Sequence, residues 1–250
     1  MKQKLLFAVF LSFVMIVSTT HVQANTIGRG FSPIDFRALT QTYFSMYKGG
    51  NPGDDMLDEY AKMAYCDLYQ KYFTNDFEWE KIRNHIKGDL EKYASNIQTD
   101  YEIVGDVSLD RYNFDRKGFP VVGEGHHENV GKLYLFSSGT IFSFCGQSKE
   151  SPILPASYTV SLFNPFSVDI LRVSPEVAKD VVARFYQDKK KQYKRVFARY
   201  RVKLYDLNRT YQQDGLVAEF QGEILSIDYF IDPELTQKFH TIDFHALSEE

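Results

Sequence analysis

The stretch VFARYRVKLYD, residues 196–206, alternates apolar and basic side chains and decides the fold class. Successive side chains of a strand point to opposite faces of a sheet, so this period of two predicts a half-buried strand. Its apolar face carries Val196, Ala198, Tyr200, Val202 and Leu204. Its other face carries Arg199, Arg201 and Lys203.

The segment LVAEFQGEILSIDYF, residues 216–230, predicts the second strand of an antiparallel hairpin with residues 196–206. Glu219 and Glu223 then lie across the strands from the basic row, where they are its expected ion-pair partners. The basic row could instead bind an anion, but acidic residues on the neighbouring strand are the simpler partners.

An amphipathic helix precedes each of two predicted hairpins. One begins at Asn75, with Glu78 three residues later as a capping box, and the other begins at Ser174, with Pro175 at its first helical position. The predicted buried stripes are Ile82, Ile86 and Leu90 in the first helix and Val177, Val181 and Phe185 in the second.

When the sequence is aligned with itself at an offset of 95 residues, the helix that begins at Asn75 and its following strand match the helix that begins at Ser174 and its following strand. An offset of 97 residues aligns Gly118 with Gly215. This match predicts an internal duplication of a helix-hairpin unit, with repeats at about residues 75–127 and 174–230. Two unrelated amphipathic units can share apolar spacing by chance, so that alternative stays open at this point.

Two further helices are predicted nearer the amino terminus, at residues 33–47 and 54–73. A strand is predicted at residues 101–114, with an irregularity at Gly105. The predicted fold is therefore α+β: a mostly antiparallel sheet with helices on one side, forming a single domain over residues 25–250.

The first 24 residues resemble a secretory signal peptide. Lys2 and Lys4 precede an apolar run from Leu5 to Val17, and a small residue, Ala24, ends the predicted cleavage site. The apolar run is too short to cross a bilayer, and no later segment predicts a transmembrane helix. We therefore expect a mature protein that is periplasmic or secreted.

The charge balance argues against a nucleic-acid partner. Losing the two signal lysines leaves 27 basic against 33 acidic residues and lowers the formal charge from -4 to -6. Nucleic-acid recognition depends largely on neutralising phosphates, for which an acidic chain without a basic tail is poorly suited.

Cys66 and Cys145 are the only two cysteines, and both lie in the exported part. An oxidising compartment would allow them to form a disulfide. Two cysteines alone do not fix a pairing, so each could equally be a small buried apolar residue.

The stretch GEGHHENVGK, residues 123–132, carries the strongest local hint of chemistry. Glu124, His126 and Glu128 could share one face of a strand and form a polar cluster able to take a divalent ion. His127 would then point to the opposite face. The glycines around the pair favour a polar strand end or turn, so no catalytic residue, metal or cofactor is expected.

The chain contains 17 tyrosines and 21 phenylalanines. Tyr65, Tyr69 and Tyr72 lie at helical spacing, which is more typical of a core or a subunit interface than of an exposed stacking surface. Exposed tyrosines could stack on sugars or on a protein partner.

The segments YFTNDFEWEKIR (72–83) and LDRYNFDRKGFPVV (109–122), which follow a signal peptide and a tyrosine-rich helix, resemble an uncharacterised family of bacterial exported proteins, known as a domain of unknown function. The resemblance extends over nearly the whole mature chain and implies no catalytic residues. It favours a bacterial envelope setting.

Three functional hypotheses follow. The leading one is a non-enzymatic binding or scaffolding module of the envelope, with a protein or glycan ligand. The second is an envelope hydrolase that uses Glu124, His126 and Glu128 around a metal or as acid and base groups. The third is a periplasmic inhibitor or assembly factor that acts through an edge strand or an aromatic patch.

Overall fold

The computed structural model describes residues 30–123, 127–137, 145, 153–185, 193–212 and 215–244. The helices in these ranges are α1 (Phe36–Lys48), α2 (Asp54–Ala64), α3 (Cys66–Tyr72), α4 (Asp76–Ala94) and α5 (Pro175–Phe185). The strands are β1 (Ser32–Pro33), β2 (Asp100–Leu109), β3 (Gly118–Val122), β4 (His127–Ser137), β5 (Ser157–Val168), β6 (Ile170–Arg172), β7 (Lys194–Gln212), β8 (Gly215–Phe230) and β9 (Lys238–Asp243). The predicted signal segment, residues 1–24, lies outside the described residues, as does the predicted cleavage site.

The strands form a mixed sheet with the order β4-β5-β8-β7-β2-β3-β6, so the chain is an α+β protein. Most neighbouring strands are antiparallel, but β5 runs parallel to β8 and β1 runs parallel to β2. Strand β9 adds to the second half of β8. The prediction of a mostly antiparallel sheet is confirmed.

The hairpin predicted from residues 196–206 and 216–230 is present as β7 and β8, and it lies in the middle of the sheet. Val196, Ala198, Val202 and Leu204 are buried on one face, which we call the core face. The opposite face, which we call the open face, carries the basic row of β7. The side-chain period therefore identifies both faces of this strand correctly.

The two helix-hairpin units meet at the centre of the sheet, where β2 and β7 pair antiparallel. Val104 lies opposite Arg199, and these two positions are 95 residues apart, the same separation as the sequence shift. An approximate two-fold axis through this pair would exchange the two strands. Gly118 and Gly215, aligned by the shift of 97, each begin the second strand of a hairpin. This placement is what a duplicated unit would produce, and common ancestry of the two units stays a prediction.

Helix α1 covers the core face. The Tyr158 hydroxyl of β5 lies 2.8 Å from the Thr40 hydroxyl, and the Tyr101 hydroxyl of β2 lies 2.6 Å from the Thr42 hydroxyl. Burial raises the pKa of both tyrosines well above the usual range. Paired hydroxyls that stay protonated satisfy the polar ends of these rings inside the core.

The helix predicted at residues 54–73 is interrupted at Tyr65, so that part of the prediction is wrong. Tyr65 has non-helical backbone angles, φ −138° and ψ 44°, and separates α2 from α3. Its ring packs edge-on against Tyr60, and its hydroxyl oxygen accepts a 3.0 Å hydrogen bond from Arg37 of α1. In an unbroken helix Leu68 would share the buried side of Leu57 and Ala64, but it is 38% exposed because α3 does not continue the face of α2.

The strand edges also differ from the sequence prediction. Strand β2 ends at Leu109, five residues before the predicted limit, and Gly105 pairs regularly with Ala198 without a bulge. Strands β1, β6 and β9 were not predicted, because two to six residues carry too short a period to detect. Pro33, predicted as the start of the first helix, lies in β1, and α1 begins at Phe36. The run TIFSF, residues 140–144, also predicts a strand, but it lies outside the described residues.

Candidate functional site

The histidine-containing cluster proposed from sequence lies largely outside the described residues. Glu124 and His126 are not described, and only Glu128, an exposed residue of β4, can be located. Among the described residues, no group of three histidine, cysteine, aspartate or glutamate side chains could hold a metal ion. The interpretation of this cluster as a polar strand end stays a prediction.

The open face instead carries a half-buried group of charges that we call the ion cluster: Glu102, Arg199, Arg201, Asp228 and Lys238. Arg199 donates to Asp228 over 2.9 Å, and Arg201 donates to Glu102 over 3.1 Å. Crossed contacts of 3.3 Å and 3.8 Å join each arginine to the other carboxylate. Asp228 is only 1% exposed and Glu102 only 7%, so both carboxylates are held by cations inside the protein.

The electrostatics of the ion cluster favour an ionised Asp228. Burial alone would raise the pKa of this carboxyl, but hydrogen bonds from Arg199 and Thr241 and the charges of Arg201 and Lys238 outweigh it and hold the pKa below its usual range. The Thr241 bond is 2.7 Å long and the Lys238 bond 3.4 Å. The cluster joins β2, β7, β8 and β9, which is a stabilising role.

The predicted ion-pair partners of the basic row on β7 are therefore only partly those that the structure shows. Lys203 does pair in register with Glu223, but Arg201 lies opposite Ser226 and Arg199 lies opposite Asp228. A bulge on β8 at Leu225 causes this shift in register. Because the carboxylates already bind the arginines, the ion cluster is poorly suited to an external anion.

Three exposed aromatic side chains on the open face form what we call the aromatic strip: Tyr134 of β4, Phe163 of β5 and Tyr205 of β7. Their exposed fractions are 73%, 62% and 47%. The rings of Phe163 and Tyr205 are 6.1 Å apart at their centroids. Tyr205 is the extra residue of a bulge, since Leu204 pairs with Gly222 and Asp206 pairs with Gln221. Single exposed apolar residues are normal, but exposed rings grouped on one face of a sheet can mark an interaction site.

Polar groups lie between the rings of the aromatic strip. Glu219 binds Lys132 and accepts a 2.8 Å hydrogen bond from the Ser161 hydroxyl. The bond from Lys132 is the main reason that the pKa of Glu219 lies below its usual value. The Tyr205 hydroxyl donates to Glu223, and this bond is the main cause that raises the pKa of Tyr205 to about 12.

A side-chain amide shapes the end of the aromatic strip. Regular pairing of β5 with β8 stops at Leu162. Asn164 then binds both backbone groups of Ile224, donating to its oxygen over 2.8 Å and accepting from its nitrogen over 3.0 Å. Because the amide replaces the missing backbone partner, β5 stays beside β8 and holds Phe163 at the surface.

The tyrosine stripe of residues 65, 69 and 72 packs against the core, as the general burial of aromatic residues predicts. Tyr69 stacks on Phe73 at 4.3 Å and meets Trp79 edge-on at 5.4 Å. This stripe therefore belongs to the helical layer and is separate from the aromatic strip on the sheet.

Cys66 and Cys145 are joined in a disulfide, with their Cα atoms 5.3 Å apart. The bond ties the start of α3 to a residue 79 positions later. Gln70 of α3 also donates to the Cys145 carbonyl oxygen over 3.3 Å. The pairing that the sequence left open is thus present, and it is compatible with an exported protein. Within the described ranges, no helix is long and apolar enough to span a bilayer.

The fold and this surface define a disulfide-linked α+β protein with a mixed sheet, whose open face carries an ion cluster and an aromatic strip. The chain belongs to the DUF4852 family, a domain of unknown function, whose family model matches residues 53–189. The matched range is shorter than the near-complete resemblance expected from sequence. Comparison with curated proteins and with solved structures finds no match.

Sequence reasoning missed both acidic members of the ion cluster and the whole aromatic strip. Glu102 and Asp228 are separated from the arginines by 99 and 29 residues, so only strand register brings them together. One signal for Phe163 was present: it lies at an odd position in SYTVSLF, where Tyr158, Val160 and Leu162 occupy the buried face.

Proposed function

We propose that this protein is an exported envelope protein that works as a non-enzymatic binding or scaffolding module, with the aromatic strip as its binding surface. The observation that carries the proposal is the exposure of Tyr134, Phe163 and Tyr205 on one face of the sheet. An exposed ring costs free energy in water that a ligand recovers by covering it.

The surroundings of the strip support a rigid surface. Strands β4, β5, β8 and β7, which carry the strip and its polar groups, are neighbours in the sheet. The ion cluster on the adjoining part of the open face joins β7 and β8 to β2 and β9. A binding surface on packed strands keeps its side chains in place before the ligand arrives, which lowers the entropy lost on binding.

The disulfide and the amino-terminal sequence support an exported location. Disulfides persist in oxidising compartments, and residues 1–24 have the charged, apolar and small-residue pattern of a signal peptide. Amino-terminal sequencing of the protein secreted by a bacterial host tests this part. We expect Asn25 as the first residue, and a product that retains Met1 would contradict export by this route.

Site-specific photo-crosslinking tests the binding surface. A photoreactive phenylalanine at position 163 should give adducts with envelope material, because this side chain is 62% exposed within the strip. Position 77 on α4 is the matched control, since Phe77 is 85% exposed outside the sheet. Equal adduct yields at both positions, or adducts only at position 77, would remove the strip as the binding surface.

A further inference from the structure

The aromatic strip places rings at two ends of a polar segment. Tyr134 lies opposite Thr159 of β5, and Phe163 is four residues further along the same strand. At about 3.3 Å per residue, the two rings are about 13 Å apart along the strand. Lys132, opposite Ser161, lies between them and binds Glu219. A matching ligand is long and presents apolar patches at two places with hydrogen-bonding groups between them.

Several charges on this part of the open face pair with one another. Lys132 binds Glu219 beside the strip, and Arg199 and Arg201 bind Asp228 and Glu102 in the ion cluster. A strongly charged polymer would have to separate these pairs, two of whose carboxylates are almost fully buried. The surface is therefore complementary to an uncharged ligand.

An extended peptide fits this surface poorly. The backbone groups of β5 already pair with β4 on one side and with β8 on the other. A peptide lying across the face would leave its own amide and carbonyl groups without backbone partners, which is costly when they are covered. A sugar chain has no such backbone. Its C–H faces cover aromatic rings, and its hydroxyls can bind Glu219, Glu223 and Ser161.

We infer that the aromatic strip binds an uncharged oligosaccharide across Tyr134, Phe163 and Tyr205, with Ser161, Glu219 and Glu223 binding its hydroxyls. The inference rests on the proposed function and names the ligand class for the same surface. Carboxylate oxygens accept from several hydroxyls at once, so Glu219 and Glu223 can bind sugar while keeping their present partners.

Isothermal titration calorimetry on the secreted full chain tests the inference, with two neutral hexasaccharides as probes: β-1,4-linked N-acetylglucosamine and β-1,4-linked glucose. We expect at least one to bind, and Phe163→Ala and Tyr134→Ala each to weaken that binding about tenfold or more, the effect typical of aromatic residues at the centre of a binding site. Phe77→Ala should leave the affinity unchanged. Thermal unfolding of each variant verifies that it is folded.

The outcomes separate the two proposals. If neither hexasaccharide binds, or if the strip variants bind as well as the unchanged protein, the oligosaccharide inference is overturned. If position 163 still crosslinks to an envelope protein in that case, the binding-module proposal stands with a protein partner. If both the titration and the crosslinking fail at the strip, the proposed function falls with the inference.

Discussion

Replacing both cysteines by serine should cost the protein about 4.5 kcal/mol of stability. The disulfide between Cys66 and Cys145 closes a loop of 79 residues, and it acts mainly by restricting the unfolded chain. In the chain-entropy relation, the lost entropy is about 2.1 + 1.5R ln 79 cal/mol/K, which gives about 4.5 kcal/mol at 25 °C. This is a large part of the 5–15 kcal/mol that typically separates folded from unfolded domains.

Urea unfolding followed by circular dichroism measures this loss. The midpoint of the serine double variant should fall, and the slope of free energy against urea should rise, because an unfolded chain without the cross-link exposes more surface. In the presence of a reductant, the unfolding curve of the unchanged protein should coincide with that of the serine variant. The curve of the variant itself should not change. A loss of less than about 1 kcal/mol, with the slope unchanged, would refute the view that the cross-link restricts the unfolded chain.

Three further predictions concern other parts of the molecule. The stability that ionised Asp228 contributes should be fully present above its unfolded pKa of about 3.9. It should be lost as the pH falls through the lower pKa of the folded protein. In Asp228→Asn, the free energy of unfolding should therefore depend less on pH in that range. Gly222→Ala should lower the free energy of unfolding by about 1–3 kcal/mol in urea titrations, because a Cβ would lie 2.3 Å from the Lys203 carbonyl oxygen. Gly131→Ala is its control, since nothing lies within 4 Å there. The purified protein should contain no stoichiometric zinc by atomic emission, and zinc that disappears in His126→Ala would restore the metal hypothesis.

The elements that could be predicted from sequence are those whose signal is local. The caps at Asn75 and Ser174 show this, because each side chain accepts a hydrogen bond from a backbone N–H three residues later. The alternation along β7 is local in the same sense, since one strand carries the whole period. These signals give the α+β class and identify which face of the central strand is buried.

The parts that failed depend on contacts between distant residues. Tyr65, at the break between α2 and α3, is bound through its hydroxyl by Arg37 of another helix, 28 positions away. The partner of Arg199 depends on the bulge at Leu225, because one extra residue on β8 puts Asp228 rather than Ile227 opposite this arginine. A pattern read along one strand contains neither fact.

The candidate surface was only partly predictable for the same reason. The composition suggests that some exposed aromatic residues form a stacking surface. It does not show which of the many aromatic residues these are. Phe163 and Tyr205 are 42 positions apart, yet their rings are 6.1 Å apart because β5 and β7 both flank β8. Strand order decides which rings are neighbours, and it cannot be obtained from local periodicity.

The limits of the family match have a practical consequence for work on its other members. The matched segment ends at residue 189, while β2 inside it pairs with β7 outside it through ten residue pairs. A fragment cut at the family boundary would expose that edge of β2 and separate the core from its central hairpin, which invites aggregation. Expression of this chain should therefore retain residues 194–243, and the matched segment alone should not be treated as a self-sufficient folding unit.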